Sequence, residues 1–204
     1  MDWVKQKQVS EHFERMYQKG QKPWTEHGTE PALDYFLDFL KEKYARKAKI
    51  LDTGCGDGWI TIKAAQKGFQ AWGIDSSETA IFEAKQKALK AKVSTKTHFE
   101  VGNALNLPYR NNFFGAGIDR GLFHHILPIN YIIYFENILR VQKLKGFLYL
   151  TVFSQKNTLG IGHLFTHDSI KKLFGKYFSI TYFQQDPYPT TAPAHLLHFI
   201  LERK

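Results

Sequence analysis

The chain has 204 residues, 43% hydrophobic and 23% charged, a composition that suits one globular domain and excludes a disordered or fibrous chain. Lys and Arg number 28 against 19 Asp and Glu, for a formal charge of +9, but the lysines fall on the outer faces of helical stretches and form no nucleic-acid stripe. One cysteine excludes an internal disulfide framework; the N-terminus lacks a signal-like apolar core, and no apolar run approaches the ~20 residues of a membrane span, so a cytoplasmic protein without membrane attachment is expected.

Val9, Phe13 and Met16 recur at helical spacing, and Gly20 can end that first helix. A turn-rich stretch, residues 22–33, carries Pro23, Trp24 and Gly28; Pro31 suits the first position of a second helix, striped by Leu33, Phe36, Leu37 and Leu40 up to Tyr44. Ile50-Leu51 reads as a strand that stops at Asp52. Glycine follows at every second position, Gly54, Gly56 and Gly58, and a helix runs from Trp59 to near Gly68. Residues 71–74 form a second buried strand ending at Asp75, and Ser76 or Ser77 can cap the next helix, which should turn Ala80, Ile81, Ala84, Ala88 and Leu89 inward. Residues 97–101 and 113–118 read as strands, the latter ending at Asp119. Residues 131–141 read as a helix, 147–153 as a buried central strand, 167–174 as a short helix, and 178–183 and 196–201 as two closing strands. Strands alternating with helices predict a parallel sheet covered on both faces, with ligands beyond its carboxyl ends, where Asp52, Asp75, Asn103 and Asp119 gather.

The glycine turn reads D-x-G-x-G-x-G and departs from the G-x-G-x-x-G dinucleotide fingerprint. With Gly73-Ile74-Asp75-Ser76-Ser77 and Ile118-Asp119-Arg120-Gly121-Leu122-Phe123-His124-His125-Ile126, it resembles class I S-adenosylmethionine-dependent methyltransferases. Pro23-Trp24 and Gly28 add similarity to the small-molecule subgroup of thiopurine, thiol and tellurite methyltransferases. The resemblance covers most of the chain, strongest over 48–126. It implies a single three-layer Rossmann-like α/β domain over 1–204, with N-terminal helices and a lid in 1–45 and a core in 46–204. That core holds a seven-stranded, mostly parallel sheet with one antiparallel strand near the C-terminus.

The resemblance also implies S-adenosyl-L-methionine as cofactor and a small-molecule methyl acceptor. It assigns cofactor binding to Trp24, Asp52, Gly54, Cys55, Gly56, Gly58, Asp75, Ser76, Asn103, Ala104, Asp119 and Arg120. Asp75 would accept the ribose hydroxyls, Asn103 the adenine amino group where the family has Asp, and Ala104 would offer a backbone amide. His124 and His125 are the candidate bases, of which a helix could aim only one into the pocket. The absence of a stronger base points to a soft acceptor such as a thiol. Phe13, Trp24, Phe123, Phe165 and Tyr188 are expected to wall an apolar acceptor pocket.

Besides Asn103, the chain departs from the family at Lys143-Leu144-Lys145-Gly146, where the family usually has a Pro-Gly-Gly turn; Asn106-Leu107-Pro108-Tyr109 looks like a nucleic-acid methylase tetrapeptide but precedes the wrong strand and reads as a bland turn. His163 and His167 stand four apart with no third ligand, so no metal is expected. An RNA or protein acceptor, suggested by the charge, and a binding protein that transfers nothing are the alternative readings.

Overall fold

The computed structural model describes residues 2–22, 24, 30–45, 47–157, 162–188 and 194–204. Strands β1 (Lys49–Thr53), β2 (Gln70–Asp75), β3 (Thr97–Val101), β4 (Phe114–Arg120), β5 (Gln142–Phe153), β6 (Phe178–Tyr188) and β7 (Ala194–Arg203) form one sheet in the order β3-β2-β1-β4-β5-β7-β6. β1 to β5 pair in parallel, and β7 runs antiparallel between β5 and β6. The strand order reverses between β1 and β4, which opens a crevice at their carboxyl ends. The helices are α1 (Asp2–Gln18), α2 (Pro31–Tyr44), α3 (Trp59–Gln66), α4 (Glu78–Lys90), α5 (Tyr131–Val141) and α6 (His167–Phe174).

Alternation along the strands builds two cores. Ile50, Ala116, Ile118, Phe147 and Tyr149 point to one face, where Leu33, Phe36, Leu37 and Leu40 of α2 and Ile60 and Ala64 of α3 cover them. Their neighbours Leu51, Leu148, Leu150 and Val152 point to the other face, under α5 and α6. Parallel strands buried on both faces need the near-continuous apolar runs that β1 and β5 carry. Ser77 caps α4 by accepting the Ala80 N–H at 3.0 Å, and Thr166 caps α6 with a reciprocal Ser169 bond.

The structure corrects several expectations. Leu89 lies on the outer face of α4 and is 58% exposed; the inward stripe is Ala80, Ile81, Ala84 and Ala88, and Leu89 falls about 100° further round the helix from Ala88. β4 runs through Asp119 to Arg120. β5 begins at Gln142, and the stretch read as a turn, 143–146, is a bulge within it, with Lys145 in left-handed backbone (φ 58°) and the register shifting between Phe114 and Ala116 of β4. β5 is interior but not central, since β4 occupies the middle of the sheet. Phe123 and Phe165 belong to the α5–α6 core, where Phe123 packs against Tyr131, Phe165 and Phe174, and they do not wall a pocket. Pro23 and Gly28 lie outside the described residues, as does the side chain of Tyr188.

Phe36 is fully buried and stacks on Tyr149 at 5.4 Å between centroids, so it fixes α2 on the sheet. Phe36→Ala is expected to remove about 3–5 kcal/mol of stability, read as a lower urea midpoint at unchanged slope.

Candidate active site at the carboxyl ends of the strands

The glycine turn between β1 and α3 lies at the crevice. Gly54 and Cys55 donate their N–H groups to the Ile74 carbonyl, at 2.8 and 3.1 Å, which ties the turn to β2. Gly56 then donates its N–H to Asp75 Oδ2 at 2.9 Å, and Ser77 donates its own to Asp75 Oδ1 at 2.9 Å. One carboxylate thus joins two βα turns. Burial pushes its pKa up, and the N–H groups of Ser77, Gly56 and Ser76 oppose that shift. Three N–H donors leave the carboxylate acceptor capacity for a ligand. Ser76 is exposed beside it.

Gly56 has φ +53°, and a Cβ there would lie 2.3 Å from the hydroxyl of Tyr17. Glycine is therefore required twice, by backbone conformation and by the side chain above it. Tyr17 is buried, and its oxygen accepts the Trp24 Nε1–H at 2.8 Å, with the two rings 5.6 Å apart. The hydroxyl hydrogen finds no acceptor among the described residues. Burial and the nearby Asp75 charge keep the phenol neutral.

Helix α1 is placed over the turn by long-range bonds. Gln6 accepts the Leu127 N–H at 2.9 Å and donates to the His125 carbonyl at 3.2 Å. Glu14 accepts from the hydroxyls of Ser77 and Thr79. Gln6, Phe13 and Tyr17 fall on one helical face, which is how a single helix reaches both β-strand loops.

Asp52, at the end of β1, is 1% exposed and accepts the Thr61 hydroxyl at 2.7 Å. Burial raises its pKa to about 7, Thr61 opposes this, and Asp119 and Asp75 add to it. Cys55 is buried with its thiol against Gly73, and burial followed by the Asp52 charge raises its pKa well above the ordinary value, so it is a packing residue and not a nucleophile. Gly58 caps α3 in left-handed backbone. At the end of β3, Asn103 Oδ1 accepts the Leu105 N–H at 2.9 Å, shaping the turn that sets Ala104, itself buried.

At the end of β4 the expected roles divide. Asp119 is fully buried and accepts the N–H groups of Leu122 and Phe123 at 2.9 and 3.0 Å and the Tyr134 hydroxyl at 2.7 Å. Its carboxylate organises the following loop; burial raises its pKa to about 6 against these three donors. Arg120 pairs with Glu30 at 2.8 Å and reaches the Trp24 carbonyl at 3.5 Å. Glu30 also accepts from Tyr149 at 2.7 Å, and Tyr149 bonds His198 Nδ1 at 2.8 Å.

His124 and His125 lie on a short 3₁₀ turn, Phe123–His125. His124 is 3% exposed, stacks on Phe153 at 4.0 Å and accepts the Phe153 N–H on Nδ1 at 3.3 Å. Burial, followed by His125 and Arg120, drives its pKa well down. His125 is half-buried against Phe13 at 4.8 Å; burial, then His163 and His12, push its pKa down to about 4.

The fold therefore gathers Trp24, Asp52, Gly54, Cys55, Gly56, Gly58, Asp75 and Ser76 around one turn and sets Arg120, His124 and His125 along the adjoining strand end. Tyr17, Glu14, Glu30 and Phe153 escaped sequence reasoning; only Tyr17 had a local signal, four residues after Phe13 on the same helical face.

Residues 50–146, just under half of the chain, match a methyltransferase domain family. A 2-heptyl-1-hydroxyquinolin-4(1H)-one methyltransferase of Mycobacteroides abscessus is 36% identical over 75 residues, 37% of this chain and 33% of that protein. The matched parts span from 22% to 33% of the length of such curated relatives. Among solved structures, the 1,6-didemethyltoxoflavin-N1-methyltransferase of Burkholderia thailandensis, bound to S-adenosylhomocysteine, superposes with a TM-score of 0.81 at 22% identity, covering 100% of this chain and 89% of that one. The [4+2]-cyclase SpnF matches with a TM-score of 0.74 at 17% identity, covering 96% and 95%. The fold is that of the Rossmann-like S-adenosylmethionine-dependent methyltransferases, and the same fold occurs in a [4+2]-cyclase.

Two stability measurements test this geometry. Gly56→Ala should cost about 1–3 kcal/mol, and Tyr17→Phe in the same chain should recover part of it by removing the obstructing hydroxyl; additive losses would contradict the contact. The second concerns Asp52. Its folded pKa of about 7 lies above the ordinary ~3.9, so its contribution is full below pH ~4 and is lost as the pH rises to about 7. Asp52→Asn should therefore gain stability relative to the parent across that window, and a pH-independent difference would contradict it.

Proposed function

We propose that this chain is an S-adenosylmethionine-dependent methyltransferase acting on a small-molecule acceptor, with a thiol or similarly soft nucleophile as the favoured acceptor group. The observation that carries this reading is the bond of Gly56 N–H to Asp75 at the strand-order reversal, beneath the Tyr17 hydroxyl. The cradle fits the cofactor. Asp75 would offer its remaining acceptor capacity to a ribose hydroxyl, and the alternating glycines of the turn would let a ligand approach the backbone. The match to a methyltransferase domain family over residues 50–146 supports the same reading.

S-adenosylmethionine, when bound, supplies a methyl group already activated on a sulfonium sulfur. The protein's task is then alignment and exclusion of water, and proximity alone can lower such a barrier by roughly 7 kcal/mol or more. Asp75 would hold the ribose. The Ala104 amide would serve the adenine ring, with Asn103 shaping that turn through the Leu105 N–H. Tyr17 and Trp24 roof the turn and keep water off the reacting centre. Arg120, fixed by Glu30, holds the Trp24 backbone in place. His124 accepts the Phe153 N–H on Nδ1, which ties its ring to the strand end.

A methyl-transfer assay with labelled cofactor against a panel of thiols, amines and phenols tests the reading. Transfer to at least one member is expected, while cofactor binding without any transfer would leave a binding protein. Trp24→Ala should lower turnover by about tenfold or more while thermal stability changes little, since Trp24 is half-buried and closes the site without filling the core. Unchanged turnover would remove Trp24 from the site.

A further inference from the structure

Helix α4 keeps two large apolar side chains in water. It buries Ala80, Ile81, Ala84 and Ala88, while Phe82 is 64% exposed and Leu89 58%. Seven residues make about two helical turns, so both project from the same side, with the exposed Lys85 and Gln86 between them. Apolar residues scattered singly over a surface are ordinary. Two aligned on one helical face and bordered by cations form the pattern of a helix that lies on a lipid interface.

Past the first turn the charge on this surface has one sign. Residues 84–99 hold five lysines, Lys85, Lys87, Lys90, Lys92 and Lys96, and no acidic residue. All five are exposed; Lys87 is tied to the buried Asp57, and the other four carry the charge of this surface. The neighbouring acids are engaged elsewhere. Glu83 pairs with Lys22, and Glu14 of α1 accepts from Ser77 and Thr79. Between Glu14 and Lys22 the charged residues are Arg15 and Lys19. On β3, Phe99 packs into the cluster of Ala88 and Val93, and alternation sends His98 and Glu100 to the opposite face of the sheet, where His98 stacks on Trp72. Glu78 is the remaining acid, at the first position of α4, beside the positive end of the helix dipole.

A second copy of the chain would set these lysines against their own kind. A nucleic-acid duplex would use the lysines through its phosphates but would give Phe82 and Leu89 nothing apolar to enter. Among the described residues no helix is long and apolar enough to cross a membrane, so a lipid contact here is one of surface. We propose that the outer face of α4, with the turn that follows it, docks on a bilayer of anionic lipid. Phe82 and Leu89 enter the boundary between headgroups and acyl chains, and Lys85, Lys90, Lys92 and Lys96 lie against the lipid phosphates and carboxylates. Ser77, which caps this helix, also donates its N–H to Asp75, so the docked element is one that builds the crevice. The docking does not depend on methyl transfer.

Co-sedimentation of the full chain with vesicles of phosphatidylserine and phosphatidylcholine in equal parts, and with phosphatidylcholine alone, tests the docking. The mixed vesicles should bind about tenfold more tightly or better, and the difference should shrink as salt rises. Phe82→Ser with Leu89→Ser, and separately Lys85→Gln with Lys90→Gln and Lys96→Gln, should each weaken binding to mixed vesicles about tenfold. All five side chains are exposed, so the thermal midpoint should stay in place. Lys171→Gln with Lys172→Gln, on the exposed side of α6, should leave binding unchanged, which separates the α4 face from the overall charge of +9. Absence of binding to mixed vesicles would overturn the inference. So would equal binding to both kinds of vesicle, an equal loss from the α4 and α6 lysine substitutions, or no loss from the Phe82 and Leu89 substitutions. Retention of a duplex RNA that the α4 lysine substitutions abolish, without vesicle binding, would assign the surface to nucleic acid and overturn it too.

Discussion

The carboxylate of Asp75 is the constraint on which the crevice depends. It takes the Gly56 N–H from one turn and the Ser77 N–H from the next, so the ends of β1 and β2 cannot move apart without leaving a half-buried acceptor unpaired. Removing such a partner costs more than the bond itself contributes, because the group it leaves is already out of water. The same carboxylate faces the space a ligand would enter. A single side chain therefore builds the turn and presents it; burial raises its pKa, and the turn N–H groups it accepts oppose that rise.

A second layer closes over this one. α1 carries no strand and contributes little to the sheet's two cores, yet it places Tyr17 over Gly56 and Phe13 against His125. Gln6 and Glu14 hold it at two loops more than sixty residues away in sequence. The buried pair of Arg120 and Glu30 performs a similar task for the start of α2 and for Trp24. Buried ion pairs stabilise little against an apolar substitute, but they fix one arrangement among several. Here the arrangement fixed is that of the roof relative to the strand ends.

The sequence disclosed the sheet and the floor of the site because both are written locally. Ile50-Leu51, residues 71–74 and 97–101 each end at a polar residue, and the alternating glycines mark the turn without reference to any distant residue. What escaped was made by distance or by context. Leu89 follows the last residue of a helical stripe but points about 100° away from it, to solvent. Residues 143–146 carry the composition of a turn but are held as a strand bulge by pairing with β4. Phe123 and Phe165 look like pocket aromatics until α6 covers them. His124 was legible as a polar ring after β4, but its bond from the Phe153 N–H was not. Glu30 meets Arg120 across ninety residues, and no periodicity announces such a pair.

The central claim is a pocket for an adenosyl sulfonium compound between the glycine turn and Asp75. Isothermal titration of the full chain with S-adenosylhomocysteine tests it most directly, in parallel with an Asp75→Ala variant of confirmed fold. The account predicts saturable one-to-one binding by the parent chain and a loss of roughly tenfold or more in the variant, as expected when a charged hydrogen-bond acceptor is removed. No heat with the parent, or equal affinity in both proteins, would contradict it.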